Sequence, residues 1–416
     1  MQEIELKELK EPKQPVLNIG LVGHIDHGKT TLLHQLSGKW ADTHSEELRR
    51  GITIKLGYAD VVIRKCELCK EPSCYTRNEK CKAGHETKPV SYVSFIDVPG
   101  HEMLMASMLS GAAIVDAALL VIAANEHCPQ PQTKEHLVAL QVKGVKNIII
   151  AQNKVDLVSK EEAIKNYTEI KAFVKGTAAE NSPIIPCSAQ QGINIDAVFE
   201  EITKLHVPQR DTKSNPLFFV ARSFDINKPG TLAKDIVGGV LGGILKKGIL
   251  KVGDKIEVKP GAVVEKHNVT NYVPLKVNIV ALQAGKNKLQ EALPSGSLAI
   301  QTQLDPRLTK ADSLAGCVIG LEGHLPDISS KVKIKTQLFK EIIGAAKKVD
   351  VEPLRINEQL LLSINTTITL GAITRIKNEE VELNLRIPVV LISGSKVGIA
   401  RNVQGHWRLI GWGEII

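Results

Sequence analysis

A chain of 416 residues is too long for one ordinary hydrophobic core, so its length predicts two or three domains. Hydrophobic residues make up 43% and charged residues 24%, which is typical of soluble globular proteins, and no apolar run is long enough to span a membrane. The net charge of +8 favours an anionic partner, while an aromatic content of 4% argues against a platform on which single-stranded bases stack.

The N-terminal stretch, residues 1–15, is charged and contains proline, and it lacks the apolar core of a secretory signal peptide. We expect it to be a flexible lead-in. Seven cysteines, four of them between positions 66 and 81, favour a reducing compartment and a metal site over disulfides. We therefore expect a cytoplasmic protein.

Apolar, strand-like runs alternate with helical patterns over residues 1–208. The runs are PVLNIGLVG, VSYVSFIDVPG, AALLVIAANE, KNIIIAQNKVD and SPIIPCSAQ. This alternation predicts an α/β domain with a mostly parallel sheet and helices on both faces. Ligands of such sheets bind beyond the carboxyl ends of the strands, and polar groups follow four of the five runs at that end.

The first run ends in GHIDHGKT, residues 23–30, which matches the phosphate-binding P-loop pattern between a strand and a helix. The loop glycines let backbone N–H groups turn toward a phosphate, and the helix N-terminus adds partial positive charge. We expect Lys29 to reach the β- and γ-phosphates of a nucleotide and Thr30 to give its hydroxyl to Mg²⁺. The alternative is a glycine-rich turn that binds nothing.

Two later segments, RRGITI and DVPG, have the pattern of nucleotide switches. Thr53 is suited to complete the Mg²⁺ shell when a triphosphate is bound, and Asp97 to hold the ion through water. The N–H of Gly100 would bond the γ-phosphate and lose that bond after hydrolysis. His101 follows directly, and it either orients the attacking water or packs in a mobile loop.

The segments NKVD and SAQ predict which base is bound, because each follows a strand-like run. The carboxylate of Asp156 can accept hydrogen bonds from N1–H and the N2 amino group of guanine, donors that adenine lacks. We expect Asn153 to tie this loop to the P-loop and the stem of Lys154 to cover the base. Backbone N–H groups at 188–190 can contact guanine O6. A solvated loop is the alternative to this guanine site.

A cysteine-rich segment interrupts the α/β pattern at about residues 64–86. It contains four cysteines and a histidine: Cys66, Cys69, Cys74, Cys81 and His85. A C-x-x-C pair places two thiolates on one tight turn, as tetrahedral zinc requires. The segment is too small for an apolar core of its own, so a metal would supply its stability. A loop of free thiols is the alternative. The remaining cysteines are predicted to be small core residues: Cys128, Cys187 and Cys317.

The pattern changes after residue 208, where VPQRDTKSNP forms a polar linker bounded by proline. Short strand-like runs separated by glycine, proline and turn pairs follow, with a second break near LPDISS. We predict an α/β domain and two all-β barrels, at residues 1–208, 209–328 and 329–416. Glycine pairs at 238–239 and 242–243 fit either close backbone approach to a ligand or bends in a barrel.

The motifs GHxDHGKT, RGIT, DxPGH, NKxD and SA occur in this order, and with them the chain resembles translational GTPases of the elongation factor Tu class. Within that class it is similar to the gamma subunits of archaeal and eukaryotic translation initiation factor 2. The resemblance covers nearly the whole chain. It is carried by HSEELRRGITIKLGYAD, MLMASMLSGAAIVDAALLVIAANEHCPQPQTKEHL, RSFDINKPGT, GGVLGG, LDPRLTKAD and WRLIGWG.

The resemblance implies a GTPase and a role for each matching residue. His101 aligns with the catalytic histidine of the class, and Ile25 with Ile52 would form an apolar gate that holds it off the water. The implied nucleotide contacts are Asp26, His27, Gly28, Lys29, Thr30, Thr31, Gly100, Asn153, Lys154, Asp156, Ser188, Ala189 and Gln190. The implied magnesium positions are Thr30, Thr53 and Asp97, with Asp26 and the Gly51 carbonyl for a second ion.

Members of this family usually have two C-x-x-C pairs in the inserted segment, and this chain departs from that pattern at Gly84. The fourth zinc ligand is then either Cys74 or His85. Our prediction for the zinc ligands is Cys66, Cys69, Cys74 and Cys81.

The resemblance also implies partners: initiator methionyl-tRNA, the small ribosomal subunit, and the alpha and beta subunits of a heterotrimer. The tRNA acceptor arm would lie in a cleft between the GTP-bound switches and the first barrel, held mostly through phosphate and 2′-OH contacts. The basic candidates for these contacts are Arg222, Lys228, Lys246 and Lys247.

Two alternatives stay open at this stage. One is an elongation-type factor, including a selenocysteine-specific one, that delivers another aminoacyl-tRNA; the stretch SEELRRGITIKLGYAD, the cysteine insertion and the length oppose it. The other is a scaffold that keeps the fold without nucleotide, which the intact Lys29, Asn153 and Asp156 oppose.

Overall fold

The structure is a computed structural model that describes residues 13–40, 57–98, 114–228, 230–267, 269–343 and 349–416. Within these ranges every α-helix lies before the polar linker, and the strands beyond the linker form two barrels. The predicted fold class, an α/β P-loop domain followed by two all-β barrels, is confirmed.

Seven strands form the sheet of the α/β domain: β1 (Leu17–Gly23), β2 (Gly57–Lys65), β3 (Tyr75–Thr76), β4 (Lys88–Asp97), β5 (Ala117–Ala123), β6 (Asn147–Asn153) and β7 (Ile184–Pro186). Their order in space is β3-β2-β4-β1-β5-β6-β7. Parallel pairing runs from β4 through β1, β5 and β6 to β7, while β2 and β3 are antiparallel. The central β1 and β5 are buried along their whole length, as their continuous apolar sequences require.

In the described ranges, four α-helices cover both faces of this sheet: α1 (Lys29–Ser37), α2 (Pro131–Lys143), α3 (Lys160–Val174) and α4 (Ile195–Thr203). Helices α1 and α4 bury apolar side chains such as Leu36 and Ile202 in one cluster against the sheet. Helices α2 and α3 bury Leu137 and Ile170 in a second cluster on the opposite face. None of the helices in the described ranges is long and apolar enough to cross a membrane.

Local sequence fixes where these helices start and stop. Helix α2 begins at Pro131, whose missing N–H costs nothing at a first helical position, and ends before the left-handed Gly144. The Ser159 hydroxyl accepts from the Glu162 N–H and the Glu162 carboxylate accepts from the Ser159 N–H, which caps α3 at both groups. Short 3₁₀ turns occupy Val155–Leu157, Ala233–Asp235, Pro306–Leu308 and Lys310–Asp312.

The barrel of the second domain, called the second barrel below, has strands β8 (Leu217–Phe224), β9 (Val240–Lys247), β11 (Lys255–Lys266), β12 (Val269–Ala284), β13 (Asn287–Leu289), β15 (Leu298–Thr302) and β16 (Val318–Leu321). The order β11-β16-β8-β9-β15-β12 closes on itself because β11 also pairs with β12, and β13 extends the edge of β12. A separate pair joins β10 (Leu250–Lys251) to β14 (Glu291–Ala292).

The barrel of the third domain, called the third barrel below, is closed by six strands: β17 (Ile328–Leu338), β18 (Gln359–Ile364), β19 (Thr367–Lys377), β20 (Glu380–Val390), β21 (Lys396–Val403) and β22 (His406–Ile415). They follow the cyclic order β17-β20-β19-β18-β21-β22. Inward side chains such as Ile334, Leu362 and Ile399 fill the interior, so the barrel has a packed core.

Helix α2 joins the α/β domain to the third barrel. The carboxylate of Glu135, which is 1% exposed, accepts a hydrogen bond of 2.9 Å from the Arg408 guanidinium on β22. At the end of the helix, Lys143 donates to the Lys396 carbonyl at 3.2 Å, and burial lowers the pKa of its ammonium to about 8. The two contacts fix α2 between the sheet and the barrel.

Candidate functional site

The P-loop follows β1, and two of its glycines are required by close backbone approach. A Cβ on Gly23 would lie 2.2 Å from the Val121 carbonyl oxygen, and one on Gly28 would lie 2.4 Å from Asn153 Nδ2. Both glycines have positive φ, at 143° and 87°. Only glycine combines these torsions with this space, so the loop stays close to the neighbouring strand ends.

Lys29 opens α1 and lies back over the P-loop. Its Nζ donates to the carbonyl oxygens of Gly23 at 3.0 Å and His24 at 2.7 Å, and the residue is 7% exposed. The loop therefore holds the ammonium where phosphate oxygens can replace carbonyls as its acceptors.

Helix α2 supports the P-loop from below through two side chains that the sequence analysis missed. The Gly23 N–H donates to His136 Nδ1 at 2.7 Å, and the Ile25 N–H donates to Gln132 Oε1 at 3.3 Å. Burial, with a smaller effect of nearby Lys29, lowers the pKa of His136 to about 3, so the ring is neutral and can accept. No motif contains these residues; their only signal is a buried polar set at the start of an otherwise apolar helix face.

His27 was predicted among the nucleotide contacts, but its side chain packs inside the protein. The residue is 1% exposed, and its Nδ1 donates to the Val121 carbonyl at 3.1 Å. Burial lowers the pKa of His27 to about 4. Its carbonyl accepts from Asn153, so His27 braces the loop through both ring and backbone.

Thr30 and Asp97 meet at the edge of the sheet where Mg²⁺ was predicted. The Thr30 hydroxyl donates to Asp97 Oδ2 at 2.8 Å, and Asp97 is fully buried at the end of β4. A hydroxyl and a carboxylate are oxygen ligands of the kind that Mg²⁺ prefers, so this pair fits the ion. Asp26 lies at φ 58° on the exposed tip of the P-loop.

The residues predicted to bind guanine converge through Asn153. Its Nδ2 donates to the His27 carbonyl at 2.9 Å, and its Oδ1 accepts from the Ala189 N–H at 2.9 Å, so one side chain ties the P-loop to both base loops. Asp156 is exposed in the turn after β6, and Lys154 enters that turn at φ 62°. Ser188 is buried and accepts from the Gln191 N–H at 3.1 Å, while Gln190 is exposed.

Several predicted residues lie outside the described ranges. They are the switch and catalytic positions Gly51, Ile52, Thr53, Gly100 and His101. The neighbours that the structure does describe, Asp97 and the start of β2 at Gly57, stand beside the P-loop in the sheet.

The cysteine-rich segment brings together four residues with ligand atoms within 4.8 Å of one another: Cys66, Cys69, Cys81 and His85. Cys69 Sγ lies 3.6 Å from Cys81 Sγ, and Cys66 Sγ lies 4.0 Å from His85 Nδ1. Three thiols and one imidazole form a donor set that suits tetrahedral zinc.

This grouping differs from the predicted ligand set, because it includes His85, the alternative fourth ligand, and leaves out Cys74. The backbone of Cys74 closes the turn, accepting from the Cys66 N–H at 2.9 Å and donating to the Lys70 carbonyl at 3.1 Å. Its thiol is buried, and burial raises the pKa of that thiol. Gly84 takes a left-handed turn at φ 84°, and the following His85 pairs its carbonyl with the Cys81 N–H at 2.9 Å.

The three isolated cysteines are buried core residues, as predicted. Burial raises the pKa of Cys128 and Cys187 to about 12 and that of Cys317 to about 11. Thiols of such low acidity are poor nucleophiles and poor metal ligands.

A cavity of about 520 Å³ separates the start of β2 from the second barrel. Its walls include Tyr58 and Asp60 on β2, and Arg222 is the one basic candidate for tRNA contact among its lining residues. Arg222 Nε donates to Asp312 Oδ1 at 2.9 Å. Lys228 and Lys246 are exposed outside the cavity, and Lys247 is half-buried there.

The glycine pairs beside this cavity have different roles. A Cβ on Gly238 would lie 2.0 Å from the Thr302 carbonyl oxygen, and one on Gly239 would lie 2.3 Å from Thr309 Oγ1. A Cβ on Gly243 would lie 1.9 Å from the Phe219 carbonyl oxygen. These three glycines therefore allow close packing within the barrel. A Cβ on Gly242 would meet Phe224 at 3.5 Å, an ordinary contact, and both Gly242 and Gly243 line the cavity. The interpretation as tight points of the barrel fits three of the four glycines, and the interpretation as close approach to a ligand stays a prediction.

Two family profiles match the chain. The one described as Elongation factor Tu GTP binding domain covers residues 14–208, and the one described as Initiation factor eIF2 gamma, C terminal, covers residues 330–415. The first accounts for the α/β domain that carries the P-loop, and the second for the third barrel.

Archaeal proteins are similar over nearly the whole chain. The chain is 51% identical over 405 residues to translation initiation factor 2 subunit gamma of Methanococcus vannielii, covering 97% of this chain and 99% of that protein. It is 53% identical over 409 residues to the protein of the same name from Archaeoglobus fulgidus, covering 98% and 96%. With that of Pyrococcus furiosus the identity is 51% over 410 residues, covering 98% and 99%.

Solved structures of translational GTPases share the fold. A bacterial selenocysteine-specific elongation factor, EF-Sec, superposes with a TM-score of 0.74 at 23% identity, over 96% of this chain and 58% of that chain. Elongation factor SelB from Methanococcus maripaludis, in complex with a GTP analogue, superposes with a TM-score of 0.70 at 23% identity, over 97% and 80%. At this identity the likeness concerns the fold alone.

Proposed function

Because this chain belongs to the family of translation initiation factor 2 gamma subunits, we propose that it carries initiator methionyl-tRNA to the small ribosomal subunit in a GTP-dependent complex. The chain is a translational GTPase of the initiation factor type. In the proposed cycle GTP orders the tRNA-binding state, and hydrolysis releases the tRNA.

The nucleotide contacts are proposed from the geometry of the sheet edge. Lys29 would exchange its carbonyl acceptors for phosphate oxygens, and the P-loop N–H groups would surround the β-phosphate. Thr30 and Asp97 would hold Mg²⁺, which supplies charge neutralisation between the β- and γ-phosphates. Asp156 would read the guanine edge while Lys154 and residues 188–190 enclose the base. His101 would orient the attacking water.

The position of Tyr58 supports the tRNA proposal, because Tyr58 lies between the nucleotide site and the cavity along the chain. It lines the cavity at the start of β2, and Thr53, the residue proposed to sense the γ-phosphate, lies five positions earlier in the chain. In this proposal, a change at Thr53 on hydrolysis would reach the cavity wall at Tyr58 over this short sequence distance. We propose that the cavity receives the aminoacyl end of the tRNA and that nearby basic residues contact its phosphates.

The proposal is tested by filter binding of initiator methionyl-tRNA, elongator methionyl-tRNA and other aminoacyl-tRNAs, each with GTP and with GDP. We expect tight binding of the initiator species with GTP and weaker binding with GDP. Equal affinity for initiator and elongator methionyl-tRNA would contradict initiator specificity and favour the elongation-type alternative. Affinity that does not depend on the nucleotide would contradict the switch.

We also propose that the cysteine-rich segment binds one zinc ion through Cys66, Cys69, Cys81 and His85. The supporting observation is the mutual approach of these four ligand atoms in a segment with almost no apolar core besides its cysteines. Zinc would fix the two turns of the segment to each other.

The remaining proposals concern organisation and partners. We propose boundaries that give domains 1–208, 209–328 and 329–416; α4 ends at Thr203, before the first boundary, and β17 begins at Ile328, one residue before the third domain. We propose assembly with alpha and beta subunits as a heterotrimer, alpha on the second domain and beta on the first, in the cytoplasm where ribosomes initiate.

A further inference from the structure

The cavity between β2 and the second barrel is lined by apolar side chains and by one acidic side chain, and an apolar methionine side chain would match only the apolar part. Much of its lining is apolar, with Phe224, Ile226, Val240 and Leu298 among its walls. Such walls suit an apolar side chain. One acidic side chain, Asp60 on β2, is also part of the lining.

The carboxylate of Asp60 is largely buried, and the described part of the chain gives it no ion-pair partner of the kind that usually stabilises a buried charge. Its Oδ1 is shut off from solvent and has no hydrogen-bond partner among the described residues. No lysine, arginine or histidine of the described ranges forms an ion pair with it. Its Oδ2 lies under the Gly285 turn of the second barrel, so close that a Cβ on Gly285 would be 2.6 Å away. Burial raises the pKa of Asp60, and a hydrogen bond from Ser94 and the positive charge of Lys39 offset this effect only in part.

The other charged group on the wall does not neutralise it. Arg222 is held by Asp312, through a hydrogen bond of 2.9 Å from Nε to Oδ1. The tyrosine two residues before Asp60 has a hydroxyl that is likewise shut off from solvent and without a hydrogen-bond partner in the part of the chain that the structure describes. Two polar groups on one strand thus await a ligand with hydrogen-bond donors.

We propose that Asp60 is a specificity-determining residue that recognises the free α-ammonium group of the esterified amino acid. This inference rests on the proposed function, since it assumes that the cavity receives the aminoacyl end. An aminoacyl ester combines an apolar side chain with a cationic amine two bonds from the ester carbonyl. The apolar walls match the first, and the carboxylate matches the second. An N-acylated amino acid keeps the side chain but loses the charge and two of the three donors.

The test compares three forms of one initiator tRNA in the presence of GTP: methionyl, N-acetylmethionyl and uncharged. The wild-type protein should bind the methionyl form about 10- to 100-fold more tightly than the N-acetyl form, the range expected for losing a charge-assisted hydrogen bond. Asp60→Asn keeps the shape and removes the charge, so this ratio should fall to within about 3-fold of one. Affinity for uncharged tRNA should not change.

Gln301→Ala is the matched control, because Gln301 lines the same cavity with a neutral amide. It should alter both charged forms equally and keep their ratio. GTP affinity of each variant, measured by titration with a fluorescent analogue, reports whether the fold is intact. A ratio that survives in a folded Asp60→Asn protein overturns the inference and leaves the proposed function standing. Failure of the wild-type protein to bind methionyl-tRNA overturns both.

Discussion

Two sites differ in how their polar groups are satisfied: the nucleotide edge, which is the sheet edge with the P-loop and the base loops, and the cavity between β2 and the second barrel. At the nucleotide edge, polar groups satisfy each other: Lys29 bonds two loop carbonyls, Asn153 bridges two loops, and Thr30 bonds Asp97. In the cavity, the Tyr58 hydroxyl and the Oδ1 atom of Asp60 have no such partners in the described ranges. The first site is preorganised by its own hydrogen bonds, whereas the second is completed by what enters it.

The difference also concerns where each site lies along the chain. Lys29 belongs to one continuous motif at a strand end, and every loop around it follows a neighbouring strand of a single sheet. The cavity combines β2 with β8, β9, β12 and β15 of another domain. Changes at the nucleotide edge should therefore act on GTP affinity directly, while changes at the cavity should act on tRNA and leave GTP untouched.

Replacing Lys29 should have the largest effect. Lys29→Ala removes an ammonium that forms charge-assisted bonds to phosphates, worth about 1.5–3 kcal/mol each, so two lost bonds predict GTP binding weaker by about 1000-fold. Titration with a fluorescent GTP analogue measures it. Lys39→Ala, at an exposed lysine just beyond α1, is the control and should bind normally. A Lys29→Ala protein within 10-fold of wild type would show that the P-loop backbone suffices.

The nucleotide edge was largely predictable from sequence, since a P-loop, NKVD and SAQ each need only a strand before them. The supports of that edge were not, because Gln132 and His136 act through tertiary contacts to backbone N–H groups and belong to no motif. The cavity was predicted only as a cleft of the family. Its chemistry depends on which side chains of β2 face the second barrel, and that follows from domain packing, which sequence periodicity does not encode.

The cysteine-rich segment lies between these extremes, because only half of its ligand pattern is regular. Cys66 and Cys69 follow from spacing alone, but the choice between Cys74 and His85 needed three-dimensional placement. His85→Ala should weaken zinc binding by about 100-fold or more, a quarter of the roughly 10–16 kcal/mol typical of structural zinc.

Competition with a zinc chelator, followed by metal analysis, measures this loss. Cys74→Ser is the matched variant and should retain about one zinc, since its thiol lies outside the ligand group. Zinc lost from Cys74→Ser and kept in His85→Ala would restore the ligand set expected from sequence.

The next largest effect should be on the preference for guanine over other bases. Asp156→Asn should reduce GTP affinity by about 100-fold, because the amide can accept only one of the two guanine hydrogen bonds and carries no charge. Xanthosine triphosphate, with a carbonyl in place of the N2 amine, should gain affinity from the amide N–H. Isothermal titration with both nucleotides tests the exchange. Glu180→Gln, an equal charge change at an exposed residue, should leave both affinities as they were. Unchanged guanine preference would remove Asp156 from the site.

The hidden support of the P-loop should have a smaller effect. His136→Leu keeps the volume but removes the acceptor of the Gly23 N–H, so this buried donor is left without its partner. We expect GDP to dissociate about 10-fold faster, measured by stopped-flow displacement, for a cost of about 1–2 kcal/mol. Because His136 titrates only near pH 3, the wild-type rate should be flat from pH 6 to 8. A pH-dependent rate in this range that His136→Leu abolishes would contradict a neutral acceptor.

The smallest expected effect comes from narrowing the cavity, and it is compared with a change in the packing of the barrel. Gly242→Ala adds a methyl group 3.5 Å from Phe224, which narrows the cavity without a clash, and should weaken methionyl-tRNA binding about 3- to 5-fold at unchanged GTP affinity and melting temperature. Gly243→Ala places its methyl group 1.9 Å from the Phe219 carbonyl oxygen and should instead lower the melting temperature by several degrees, since the strands must separate. Gly242 and Gly243 both line the cavity, so the pair separates a loss of cavity space from a loss of strand packing. If Gly242→Ala lost stability and kept tRNA affinity, the cavity would be a defect of barrel packing and its unpaired Asp60 would need another explanation.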